Sequence, residues 1–276
     1  MRASICLAWL IVAAVSGGLL TAQSPDTGAF EVVSIKPNVS GDERTSSIVM
    51  PGARYTATNV TLRMLIKTAY QVHDDQIVGG PGWVNADRFD LTARGEGNPS
   101  TTAFITQARL MLRPALADRF SLVMRRETRV IPVYALRQVR SDRGLGPQLR
   151  ESPNCSGPAS PLPAAPDALE PVPDFPCGTG FSRGGHLGAR GSEFSVLVRQ
   201  IGTWTDRVLI DRTALTGRYD WDMQWTPEPL TPDIAVVPNR LPLETALRDQ
   251  LGFKLEPGRD SVEVLVIDRA ERPRPD

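Results

Sequence analysis

Lysine is nearly absent: of 31 basic residues only Lys36, Lys67 and Lys254 are lysines. Histidine occurs twice, cysteine three times, and aromatic residues make up 6% of the 276-residue chain. Charge of one sign is missing too, because 31 acidic residues balance the 31 basic ones. Without a basic excess the chain lacks the electrostatic footprint that nucleic-acid phosphates require, so no nucleic-acid partner is expected. GC-rich coding accounts for the preference for arginine, which therefore carries no functional weight by number alone. Little is left for a metal centre: two cysteines far apart need more ligands than their surroundings offer, and no metal or cofactor is expected. At 41% hydrophobic residues the chain is too apolar to be disordered. Its length allows one large domain or two smaller ones, each able to bury a core.

Long hydrophobic runs are also lacking after the first 22 residues. The one apolar run, Ile5 to Leu20, follows Arg2 and ends at Thr21-Ala22-Gln23. It reads as a secretory signal peptide cut after Ala22. The alternative is an uncleaved anchor, for which the run is short, since a spanning helix needs roughly 20 residues. The mature chain is then exported, to the periplasm or beyond the cell, and soluble. Cys6 leaves with the signal. Cys155 and Cys177 remain, an even pair in an oxidising compartment. Joined, they close a loop worth roughly 3 kcal/mol; otherwise they are two free thiols.

Proline is plentiful in one place. Nine prolines fall between Pro147 and Pro176, where neither a ladder nor a helix is expected to persist. A Pro/Gly-rich linker over 146–183 separates a first unit, 23–145, from a second, 184–276. The two units resemble each other. Arg54-Tyr55-Thr56-Ala57 matches His186-Leu187-Gly188-Ala189, and at the same offset Leu62, Leu65, Ile66 and Ala69 match Phe194, Leu197, Val198 and Ile201. Both sets have the spacing of one buried helix face, with Asn59 and Ser192 as expected N-caps. Asp87-Arg88-Phe89-Asp90 corresponds to Gly217-Arg218-Tyr219-Asp220, each opening an alternating strand. A second helix follows in each unit, through Ala108 to Leu116, where Pro114 predicts a kink or a helix that starts later than its pattern, and through Leu243 to Leu251. Hairpins are expected to close both units, one between Phe120–Met124 and Val130–Leu136, the other turning at Pro257-Gly258. The expectation is an α+β fold of two tandem repeats, each roughly β-α-β-(β)-α-β-β, with helices on an antiparallel or mixed sheet. An extra strand, Phe30 to Ile35, precedes the first.

His73-Asp74-Asp75 is the densest group of ligand-capable side chains. A histidine with carboxylates is the raw material of a general base or a metal site. Yet neighbours on an extended chain point to opposite sides, and a turn between a helix and Ile77-Val78 is polar anyway. His186, aligned with Arg54, has less to recommend it. Asp220 and Asp222 share a strand face about 7 Å apart, near a glycosidase-like separation. Their counterparts Asp90 and Thr92 break the pair, so a solvated face is the simpler account. Nucleophile elbows, zincin helices and phosphate loops are absent as motifs. Trp83, after Gly79-Gly80-Pro81-Gly82, and Trp204 could face a ligand or cap a core; Trp221 and Trp225 belong to the core.

As a set, these segments resemble a large uncharacterised family of exported soil-bacterial proteins. The likeness rests on Phe30–Asn38, Thr61–Ile66, Gly79–Trp83, Asp87–Asp90, Leu116–Phe120, Pro132–Leu136, Asp211–Asp220 and Glu263–Asp268, and it covers the mature chain. The family is a domain of unknown function, and related domains look to be fused to membrane metallopeptidases of the antibiotic-sensor type. The resemblance thus implies sensing or binding rather than chemistry. Each half is also similar in layout to the short N-terminal domain of secretins and TonB-dependent receptors, a protein-docking module; Asp211–Gly217 and Leu247–Phe253 carry that likeness.

Three functions follow as expectations. The first is an exported, non-enzymatic module that binds an envelope protein or peptide, by strand addition at a sheet edge. The second is a hydrolase of cell wall or secreted polymer, using His73 with Asp74 or Asp75. The third is glycan binding through Trp83 and Trp204.

Overall fold

The computed structural model describes residues 28–139, 144–152, 155, 177–183, 185–227 and 241–273. The signal peptide and most of the Pro-rich stretch lie outside them. The N-terminal half contains β1 (Val32–Pro37), β2 (Ser46–Met50), β3 (Arg54–Val60), α1 (Leu62–Tyr70), β4 (Ile77–Gly79), α2 (Trp83–Ala86), β5 (Phe89–Arg94), α3 (Thr101–Arg119) and β6 (Val123–Gln138). The C-terminal half contains β7 (Leu149–Glu151), β8 (Thr179–Arg183), β9 (His186–Glu193), α4 (Phe194–Gly202), β10 (Val208–Asp211), β11 (Arg218–Gln224), α5 (Leu243–Ala246) and β12 (Phe253–Arg269). The class is α+β.

Strand order is β1-β5-β3-β2 in one outer sheet and β7-β11-β9-β8 in the other, both antiparallel. Between them lies a mixed sheet, β10-β6-β12-β4. Here β6 and β12 run antiparallel along their whole length, while β10 joins β6, and β4 joins β12, in parallel. β7 and β8 fall inside the stretch read as a linker. Gln148 to Ser152 is a proline-free run, long enough for a three-residue ladder with β11.

The expected closing hairpins do not form. β6 and β12 are single strands of 16 and 17 residues, and each takes the other as partner. Pro132 and Pro257 sit inside them without breaking the ladder. Among the described residues each lies where its strand has no neighbour on the outer side, because β10 covers only Val133–Leu136 and β4 only Leu265–Ile267. A missing N–H costs nothing at an open edge. Along β6 the Arg129 and then the Arg125 guanidinium bond the Glu127 carboxylate and hold its pKa down to about 2.

Two cores flank the central sheet. The stripe Leu62, Leu65, Ile66 and Ala69 of α1 is fully buried, as the periodicity predicts, against α3, β3, β5 and Phe120. Each such Leu or Ile is worth roughly 1.5–3 kcal/mol of burial. In α4 the buried face is Phe194, Leu197 and Ile201, packed with Trp221, Trp225, Leu247, Leu251 and Phe253. The long strands cross-supply these cores. Leu265 and Ile267 of β12 enter the first, and Leu136 of β6 enters the second. Helix α3 continues through Pro114 to Arg119. After α5 the chain widens into one π turn, Leu247–Leu251, before Gly252 at φ 81°.

The cap of α1 is Thr61, whose hydroxyl accepts the Met64 N–H at 3.2 Å, and Asn59 has another task. It stands at a β-bulge with φ 56°, and its N–H donates to Asp90 Oδ1 at 2.9 Å. The other outer sheet has the same device. Gly191, at φ 53°, donates its N–H to Asp220 Oδ1 at 2.7 Å. The cap position of α4 is Glu193, with no side-chain bond, and Ser192 is buried beside the bulge.

Candidate functional site

The residues singled out for chemistry are dispersed, and most are held by structure. His73 caps a 3-10 turn over Asp74–Gln76: its Nδ1 accepts the Asp75 N–H at 3.2 Å. That acceptor role fixes the proton on Nε2, which donates to the Thr205 carbonyl at 3.1 Å, across to the other half. Both ring nitrogens are therefore engaged. Asp74 is bound by Arg63 Nε through both carboxylate oxygens at 2.9 Å, and Arg63 also donates to the Asp74 and Ile77 carbonyls. Asp75 lies 3.7 Å from His73 Nδ1 and is exposed. Trp83 stacks on Phe120 at 6.2 Å with Arg272 over its ring at 5.4 Å. Trp204 meets Trp225 edge-on at 5.2 Å in the other core. The two rings do not converge.

The solvated-face expectation for β11 is wrong. Asp220 and Asp222 are 7% and 2% exposed, and Gln224 beyond them is buried as well. Asp220 bonds Arg150 at 2.7 Å besides bracing Gly191. Asp222 Oδ1 pairs with His186 Nε2 at 2.5 Å, with Phe181 edge-on to the imidazole. A strand pattern of alternating polar residues signals solvent only when nothing covers that face, which local sequence cannot report. Cys155 and Cys177 are joined, with Cα atoms 5.7 Å apart, and the bridge lies against Gly191 so closely that a Cβ there would collide.

What the tertiary structure does assemble is a cleft of about 740 Å³ between α1 and α4. Its walls carry Lys67 and Gln71 from α1 and its cap, Arg109 from α3, and Arg199, Gln200 and Thr203 from α4 and its cap. Ser182 of β8, Val208, Leu209 and Asp211 of β10, and His73 also line it. β8 and β10 are the outer strands of their sheets. Asp211 is the cleft's one carboxylate among the described residues, and its Oδ1 already accepts the N–H and hydroxyl of Thr213 at 2.8 and 2.7 Å. Gln200 Oε1 is buried with no partner among the described residues. Three cations stand against one carboxylate and two helix C-termini, each worth about half a negative charge. The balance is about one positive charge. Sequence reasoning missed Lys67, Arg109 and Arg199, since charges beside an apolar helix stripe normally mark a solvated face.

A family model matches residues 63–270, well over half of the chain, and its description is "protein of unknown function". The chain belongs to the DUF3738 family. No curated protein and no solved structure matches it. The DUF3738 match includes α1 from its second residue on, all of α4 and every lining residue of the cleft. Among the described residues no helix is long and apolar enough to cross a membrane.

Proposed function

We propose that this DUF3738 chain is an exported, non-catalytic binding module that takes an extended segment of an envelope protein into the cleft between α1 and α4. The observation that carries this reading is that two outer strands, β8 and β10, border the same cleft. An outer strand offers backbone N–H and C=O groups that an added strand can meet, so affinity needs few special side chains. The likeness of each half to the short docking domain of secretins and TonB-dependent receptors supports the same reading. Export is supported by the Cys155–Cys177 bridge, because disulfides persist in oxidising compartments. His73 does line the cleft, but both its ring nitrogens are engaged, so the hydrolase alternative lacks a base. Glycan binding would need open ring faces, and the Trp83 ring is stacked on Phe120 with Arg272 also over it.

The test is site-specific photocrosslinking in the native envelope, with the probe at Thr203 in the cleft and, as control, at Ser46 on β2. A discrete protein adduct at Thr203 and none at Ser46 is expected. A Leu209→Pro change, which removes one β10 N–H, should abolish it. Equal labelling at both positions, or an adduct indifferent to Leu209→Pro, would defeat the proposal.

A further inference from the structure

We infer, resting on the docking reading above, that the bound segment is acidic and that α1 and α4 grip its carboxylates through a matched pair of cations, Lys67 and Arg199. These two residues occupy the same place in their helices, the sixth position counted from Leu62 and from Phe194. The helices face one cleft from opposite halves, and where the halves touch, His73 meets Thr205, which is 132 residues further on. The same separation relates Lys67 to Arg199, Thr68 to Gln200 and Gln71 to Thr203, all of them lining the cleft. The two walls therefore present like chemistry to whatever lies between them. Arg109 adds a third cation from α3.

None of the three has a carboxylate partner among the described residues, whereas arginines on the long strands do. Arg126 pairs with Glu263, Arg137 with Glu256 and Arg125 with Asp268. In a chain with as many acids as bases, that is a local surplus rather than a general one. A cation in the last turn of a helix is favourable in itself, which accounts for Lys67 and Arg199 but not for Arg109, in the middle of α3. Gln200 Oε1, buried and unpaired, calls for a donor such as a peptide N–H. An extended segment meets both demands. Its backbone supplies donors, and acidic side chains at every second residue fall on one face about 7 Å apart.

The test uses the full mature chain and two short probes, a peptide alternating Glu with Thr and its counterpart with Gln at each Glu position. Titration should show the Glu peptide bound at least about tenfold more tightly than the Gln peptide, with the advantage shrinking in high salt. Lys67→Ala and Arg199→Ala, both at exposed positions, should each weaken the Glu peptide by about fivefold while lowering the melting temperature by no more than a few degrees, the share of the lost helix-end charge. The double reversal Lys67→Glu with Arg199→Glu should prefer a Lys-for-Glu peptide. Equal binding of Glu and Gln peptides, with β10 amides protected by both, would overturn the acidic preference and leave edge docking standing. Failure of every peptide to bind would overturn both.

Discussion

Asp90 and Asp220 do the same work in the two outer sheets, each accepting the N–H of a bulge residue held at positive φ. Asp90 also takes the Asn38 amide at 2.8 Å. Asp222 is different in kind, because it is buried together with His186 and bonded to its ring. Removing one member of such a pair strands the other in a dry site, a loss of about 3–5 kcal/mol, whereas a lost bulge brace costs about 1–3 kcal/mol. Urea unfolding of Asp222→Ala and Asp90→Ala should therefore rank them in that order, with the m-value unchanged. Equal losses would mean that the His186–Asp222 pair is solvated. None of this is visible from residue identity. Asp90 and Asp222 both look like polar positions of an alternating strand, and only the bulge and the covered face separate them.

At the scale of elements, the existence and apolar faces of α1 and α4 were legible because an apolar stripe at helical spacing has few other uses, although Val198 of the α4 stripe is only half-buried. Their caps were not, since Asn59 and Ser192 belong to bulges whose existence depends on the neighbouring strand. Pro114 was expected to kink its helix or delay its start; α3 starts at Thr101, well ahead of Pro114, and runs on to Arg119 with Leu112 and Leu116 buried in the first core. Tertiary burial outweighs one lost hydrogen bond. Pro114→Ala restores the donor facing the Leu110 carbonyl and should raise stability by about 1–3 kcal/mol. A thermal melt checks it, and a lowered melting temperature would mean that the proline fits a bend the core requires. The long strands misled sequence reasoning most. Pro257-Gly258 is a turn signal locally, but sixteen residues of pairing with β6 override it.

For the whole molecule, the central sheet makes the halves interdependent. β4 of the N-terminal half pairs with β12, and β10 of the C-terminal half pairs with β6. Leu265 and Ile267 complete the first core, while Leu136 belongs to the second. Loss of even one such side chain costs about 2–5 kcal/mol, a large part of a domain's net stability. Residues 23–145 and 146–276 produced separately should each lack cooperative unfolding and regain it when mixed. Cooperative melting of either piece alone, by calorimetry, would show that the shared sheet is dispensable. The same interlock brings α1 and α4 face to face and so creates the cleft with Lys67, Arg109 and Arg199.

Local periodicity by itself determined the α+β class, the buried faces of α1 and α4, and the core roles of Trp221 and Trp225, because amphipathic spacing reports which side of an element is apolar. The pairing of β6 with β12, the burial of Asp220 and Asp222, and the convergence of three cations on one cleft were decided only by tertiary structure. Each depends on contacts between residues far apart in the chain, and a strand's partner or a face's cover leaves no mark on the strand's own spacing.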